Sequence, residues 1–264
     1  MKTRHFVLWN LLLLFFLSAT AKSHRSPGDG WELVWQDNFR GHKLSYVWSK
    51  IPRMPPCPEW NKYMSTDDRL FKVKGGKLTL YGIVNNILPN DTAHYLTGGV
   101  WTKNRKLFYR GRIDVRLKMD NASGAWPAVW LLPEIGSWPH QGEIDIMERL
   151  NARQDAFQTV HSAFTHYDKR PDKPESGFAG PIFINKYNIY SVELYEDSLR
   201  FLINNKYVGT YRRQPELGPD QYPFDRPMYL LIDMQLGGNW VGPIKPEELP
   251  YKYKIDYVKF YRKK

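Results

Sequence analysis

The chain has 264 residues, a formal net charge of +11, 10 Trp and 17 Tyr. This length suits one large all-β domain. The basic residues are scattered over 103–106, 110–118, 212–213 and 262–264, without a basic helix, zinc-ligand spacing or RNA-binding signature, which argues against nucleic acid as a partner. A solvated basic face or an anionic glycan accounts for the charge. Trp and Tyr are more numerous than a core requires, since each carries a polar group that needs a partner when buried. Some are expected to face a ligand, and sugar rings suit them because their C–H faces stack on flat aromatic rings.

Residues 1–21 read as a signal peptide. Lys2 and Arg4 precede an apolar run over residues 6–17, and Ala19-Thr20-Ala21 supplies a small-residue cleavage site. The run falls short of the roughly 20 residues that span a bilayer, so export without a stable membrane anchor is expected. The mature domain is then residues 22–264. Cys57 is the only cysteine, which leaves the domain without an internal disulfide. No sequence signal points to oligomerisation, and a monomer is expected.

In chain order, strand-like alternation appears at residues 31–35, 77–84, 111–118, 142–149, 187–195, 199–203, 229–236 and 251–261. In the third of these, Ile113, Val115 and Leu117 alternate with Arg112, Asp114 and Arg116, the pattern of a half-buried antiparallel strand. Gly75-Gly76, Gly98-Gly99, Asn204-Asn205 and Gly237-Gly238 punctuate the runs as turns. Two packed antiparallel sheets follow, with the first and last strands paired. Residues 52–60 and 171–181 are Pro-rich and read as surface loops lining a cleft.

Glu143-Ile144-Asp145-Ile146-Met147-Glu148 places three acids in an otherwise apolar strand, where acids are poor strand formers and costly to bury. Glu143 and Asp145 share a face by the period of two, and Glu148 joins them only if a β-bulge at Ile146-Met147 adds one residue. Glu143 and Glu148 would then lie about 13 Å apart at Cα, and inward-leaning side chains would bring the carboxyls to about 5–6 Å, the separation of a retaining glycosidase. On this reading Glu143 is the nucleophile, Asp145 an orienting helper and Glu148 the general acid/base. Two alternatives stand beside it: an exposed face paired with Arg112, Arg116 and Arg149, and an oxygen-rich metal site.

Trp126-Pro127-Ala128-Val129-Trp130-Leu131-Leu132-Pro133, Trp138-Pro139 and the acidic segment together resemble glycoside hydrolase family 16, in its laminarinase-like branch. Tyr109 to Arg116, Thr159-Val160-His161-Ser162, Met234 to Trp240 and Ile255 to Tyr261 extend the likeness to residues 31–261. The resemblance implies a β-jelly-roll sandwich of two antiparallel sheets with a concave groove, endo-cleavage of β-linked glycans with retention, and the same three acidic roles. Trp126 is expected to flank the sugar beside the nucleophile, Trp130 to back the catalytic strand and Trp138 to form a sugar platform. His161 is expected to reach the acids from the neighbouring strand. Trp101 and Trp240 are further aromatic candidates, and Asn61 and Gln235 candidate hydroxyl ligands. No cofactor is expected. The resemblance also implies a structural Ca²⁺ near the first and last strands, which Asp256 fits, whereas Asp37-Asn38-Phe39 lacks the expected Glu. A β-1,3- or mixed β-1,3/1,4-glucan is the first substrate expectation. An agar-, keratan- or mucin-type chain cut by an endo-β-galactosidase is the second, motivated by the basic charge and an altered segment around Trp60. A non-catalytic sugar-binding module is the reading of another class, and the presence of both Glu143 and Glu148 counts against it.

Overall fold

The computed structural model describes residue 28 and residues 30–264; the expected signal peptide lies outside them. One sheet contains β1 (Trp31–Asp37), β3 (Phe71–Val73), β4 (Leu78–Val84), β5 (Tyr95–Thr97), β7 (Gly111–Met119), β12 (Asn188–Leu194), β13 (Ser198–Ile203), β14 (Lys206–Arg212) and β16 (Tyr251–Lys263). The other contains β2 (Ser49–Lys50), β6 (Gly99–Trp101), β8 (Ala125–Leu132), β9 (Glu143–Glu148), β10 (Asp155–His161), β11 (Gly177–Pro181) and β15 (Tyr229–Leu236). The seven-stranded sheet runs β11-β10-β9-β8-β15-β6-β2, and the nine-stranded sheet runs β14-β13-β12-β7-β16-β4-β3 with β1 on β16 and β5 on β4. All named strand pairs are antiparallel, giving the jelly-roll sandwich. The expected pairing of first and last strands is present, Trp35 standing opposite Phe260.

The core lies between the sheets. Val129, Leu131, Ile144, Ile146, Met147, Ile232 and Met234 meet Ile113, Val115, Leu117, Val192, Ile255 and Val258, all fully buried. Each such side chain contributes about 1.5–3 kcal/mol by leaving water. A second, smaller apolar cluster sits on the outer face of the seven-stranded sheet. There Ile51 and Met64, from the segment leading to β3, cover Ala128, Trp130, Tyr229 and Leu231. This cover turns part of an exposed sheet face into the wall of a groove.

Two expectations about elements change. Residues 177–181, read as part of a loop, form edge strand β11, which pairs with β10 from Thr159 to Asp155. Residues 125–132, recognised by motif and not by alternation, form β8 in the middle of the sheet, between β9 and β15.

Candidate active site

Gly142 precedes β9 at φ +84°, where a Cβ would lie 2.9 Å from Pro223 Cγ and 3.0 Å from Phe224 Cε1. Both the backbone conformation and the close approach call for glycine. Along β9 the register with β8 pairs Leu131 with Ile144 and Trp130 with Asp145, then skips a residue to pair Val129 with Met147 and Ala128 with Glu148. The same irregularity faces β10, where Thr159 stands opposite Asp145 and Phe157 opposite Glu148. Partners two apart on β8 and on β10 therefore correspond to residues three apart on β9. Ile146 and Met147 both turn into the core, and Glu148 returns to the face of Glu143 and Asp145.

Rows of side chains run across the strands on this face. Asp233, Ala128, Glu148 and Phe157 form one; Trp101, Leu231, Trp130, Asp145 and Thr159 form the next; His161 stands opposite Glu143 and Gln235 opposite Trp126. Trp126 Nε1 donates to Glu148 Oε1 at 2.8 Å. Trp130 Nε1 donates to Asp233 Oδ2 at 3.2 Å, and Gln235 Nε2 to Asp233 Oδ1 at 3.0 Å. His161 Nε2 lies 3.2 Å from Asp145 Oδ2 and 3.9 Å from Glu143 Oε1. That shorter contact lacks hydrogen-bond alignment, so Asp145 Oδ2 is a buried acceptor awaiting a donor. The other nitrogen of His161, Nδ1, is 3.1 Å from His166 Nε2.

Glu143, Asp145, Glu148 and Asp233 thus crowd one patch, and among the described residues no Lys or Arg forms an ion pair with any of them. Burial, then the charge of Asp145, pushes Glu143 well above the usual carboxylate range. Burial, then the charge of Asp233, pushes Asp145 up to about 8. Burial and the charge of Asp145 push Glu148 up to about 8, against the hydrogen bond from Trp126. Burial pushes Asp233 up to about 7. Carboxyls this close cannot all ionise together, and the cluster keeps protons at neutral pH. This is the condition for a carboxylic acid and a carboxylate to work side by side.

The aromatic candidates divide. Trp138 and Trp240 are half exposed. Trp240 packs edge-on against Trp126 at 5.4 Å, and Trp138 edge-on against His166 at 4.6 Å. Trp101 is partly exposed and stands edge-on to Tyr229 at 6.1 Å. Trp130 is buried beneath Trp60, whose ring meets it at 4.9 Å. Gln235 is buried with its Oε1 unpartnered. Asn61 corrects an expectation: it is fully buried, its Oδ1 accepts from Met54 N at 2.6 Å and its Nδ2 donates to Pro52 O at 2.9 Å. Its amide ties the covering segment together and is not free for a sugar hydroxyl.

The arginine alternative fails on topology. Arg112 and Arg116 lie on β7 in the opposite sheet, paired with Asp114 and Glu193 and with Asp256 respectively. Arg149 is buried on Arg153 O, Asp120 O and Asn121 Oδ1. The residues considered for Ca²⁺ also do not fit that ion. Asp256 is held by Arg116 and approached by Lys77 Nζ at 3.8 Å, and Asp37 already accepts from Phe39 N, Ser45 Oγ and Trp48 Nε1. Asp233, His166 and Trp60 complete the site and were not singled out as site residues from the sequence. Asp233 carries the same signal as the β9 acids, a carboxylate within an apolar strand run.

A jelly roll that aims two glutamates from one bulged strand into an aromatic-walled groove has the architecture of a glycosidase. The chain belongs to the glycosyl hydrolases family 16, whose model matches residues 62–259. It is 32% identical over 88% of its length to the keratan-sulfate endo-1,4-beta-galactosidase of Sphingobacterium multivorum, and 29% identical over 88% to glucan endo-1,3-beta-glucosidase A1 of Niallia circulans. It spans 55% and 38% of those two proteins. A solved structure from work on endo-acting O-glycanases with which prominent members of the human gut microbiota initiate mucin breakdown superposes with a TM-score of 0.76 at 26% identity, over 88% of this chain and 100% of that one.

Proposed function

We propose that the protein is a retaining endo-β-glycosidase in which Glu143 is the nucleophile, Glu148 the general acid/base and Asp145 the residue that positions Glu143. The observation that carries this reading is the bulge at Ile146 and Met147, which gives both glutamates one face. Glu148, buried and raised to about 8, holds a proton to give to the leaving oxygen. Glu143 too is held above the usual carboxylate range, so the reaction runs through the form in which it has given up its proton: its carboxylate attacks the anomeric carbon, and the C–O bond to the leaving sugar breaks as Glu148 protonates it. The glycosyl-enzyme ester is then opened by water that Glu148, now a carboxylate, deprotonates, so the product keeps the β configuration. Proton NMR of the first reducing end released tests the assignment: the β-anomer is expected, and an initial α-anomer would overturn it.

For the substrate, the reading favoured is a β-galactoside bond in a keratan- or mucin-type chain. It is supported by the similarity to the keratan-sulfate enzyme and to the O-glycanase structure, and by the covering segment with Trp60 over Trp130. The Niallia relative supports a β-1,3- or mixed-linkage glucan as second reading. Product analysis on keratan sulfate, gastric mucin, laminarin and barley glucan separates them; release from laminarin alone would reverse the order. We read the protein as an exported monomer without a membrane anchor. The composition of residues 1–21 supports export, and acids and aromatic walls that come from a single chain support a monomer.

A further inference from the structure

The two imidazoles of His161 and His166 face each other through Nδ1 and Nε2 at 3.1 Å. A hydrogen bond between two ring nitrogens requires one to carry the proton and the other a lone pair. Which way it runs decides what the far nitrogen of His161 offers to the acids. If His166 Nε2–H donates, His161 Nδ1 is bare and its Nε2 carries a hydrogen on the side of Asp145 Oδ2, 3.2 Å away and short of full alignment, and of Glu143 Oε1. If His161 Nδ1–H donates instead, a bare Nε2 lone pair faces an acceptor that has no other donor among the described residues. The first arrangement sets a donor beside that buried oxygen, within a small turn of the ring of bonding it, and the second leaves two lone pairs opposed.

We infer that His166 is a positioning residue, which acts through His161 by fixing its Nε2–H tautomer towards the nucleophile and its helper. The inference rests on the proposed roles of Glu143 and Asp145. His166 is built to act as a neutral donor. It lies on α1 (Ala163–Tyr167), a short helix anchored at its start by Ser162, whose Oγ accepts from Thr165 N at 3.2 Å, while Thr165 Oγ1 accepts from Ser162 N at 2.9 Å. Its ring packs edge-on against Trp138. The charged and titratable groups around the pair are Lys169 and Lys173 beyond α1, Tyr167 beside it, and Glu143, Asp145 and Glu148 across His161. Burial, assisted by His161, Lys169 and Lys173, holds His166 below the ordinary histidine range, so it keeps a single N–H at neutral pH. Nothing in the strand pattern signals this residue. It reaches the site because α1 folds directly back from the end of β10.

Two variants separate hydrogen bonding from packing. His166→Phe keeps a ring against Trp138 but removes the donor; His166→Gln restores an N–H. Long-range ¹H–¹⁵N correlation on histidine-labelled protein, without any substrate, reads the tautomer of His161. The Nε2–H form is expected in the wild type and in His166→Gln, and a mixture with the Nδ1–H form in His166→Phe. On keratan sulfate, kcat of His166→Phe should fall about tenfold at unchanged KM, since the hydrogen bond that fixes the His161 tautomer is lost. The acid limb of its pH–rate profile should move up, because a lone pair facing Glu143 and Asp145 opposes their ionisation, and His166→Gln should recover both. An identical His161 tautomer in wild type and His166→Phe would overturn the inference. Absence of keratan sulfate hydrolysis by the wild type would count against the substrate reading, while the NMR comparison would still decide the role of His166.

Discussion

Trp126 and Glu148 show how much of the chemistry is set by one side chain on its neighbour. The indole N–H favours the ionised carboxylate and so works against the burial and the Asp145 charge that keep Glu148 protonated. Trp126→Phe removes that hydrogen bond, and Glu148 should then hold its proton to higher pH. The basic limb of kcat/KM is expected to move up; a limb that moves down would show that Trp126 acts in another way. Glu143→Ala should lower kcat by ~10⁴-fold or more and Glu148→Ala by ~10²–10⁴-fold, measured by reducing-end release on a natural polymer. Either variant releasing product at the wild-type rate would defeat the assigned roles. At this scale the acids were readable because a carboxylate is out of place in an apolar strand. Asn61 was not: an amide in a Pro-rich loop looks the same whether it meets a sugar or staples its own backbone, and only the partners Met54 N and Pro52 O decide it.

Among the elements, β9 carries the most information in its sequence. The demand that Glu148 share a face with Glu143 locates the bulge at Ile146-Met147, where the register shift occurs. Deleting Ile146 restores a regular strand in which Met147 takes the inward place after Asp145 and Glu148 keeps the face of Glu143. Cleavage should survive in this variant, at a lower melting temperature because a buried isoleucine is lost; a folded variant without activity would mean that the acids need more than a shared face. The long strands β7, β12, β15 and β16 were visible in their alternation or apolar runs. β8 was not, because Pro127 lies inside it and proline counts against a central strand. The structure accommodates it: the carbonyl of Pro127 accepts from Arg149 N at 3.2 Å, just past the bulged strand. β11 was hidden for a related reason, since Gly177-Phe178-Ala179-Gly180-Pro181 has the composition of a loop and is a strand only because β10 offers it an open edge.

At the level of the whole molecule, the acid patch ties stability to pH. Asp145 and Glu148 hold protons up to about 8 in the folded chain, against 3.8 and 4.5 for unhindered groups. The native state therefore binds more protons than the unfolded state between those limits, and folding stability falls as pH rises through that window. Below about 4 the contribution is fully present, and above about 8 it is gone. The melting temperature should decline from pH 5 to pH 8, and Glu148→Gln, which never charges, should flatten the decline and raise the melting temperature at pH 8. Calorimetry across this range checks it, and a variant that melts below the wild type at pH 8 would contradict it. Two sheets, their antiparallel order and the closing pair of terminal strands followed from alternation and turn punctuation. The second apolar cluster did not, because its members come from an irregular segment whose docking no periodicity announces.

That cluster has a consequence for how such a protein changes its diet. Ile51, Met64 and Trp60 grip the sheet through Ala128, Trp130, Tyr229 and Leu231, apart from the core that holds the acids in register. Replacing the overlay reshapes what the cleft accepts without disturbing the reactive centre. Selection can therefore remodel appetite and machinery separately, one on the rim and the other in the frame.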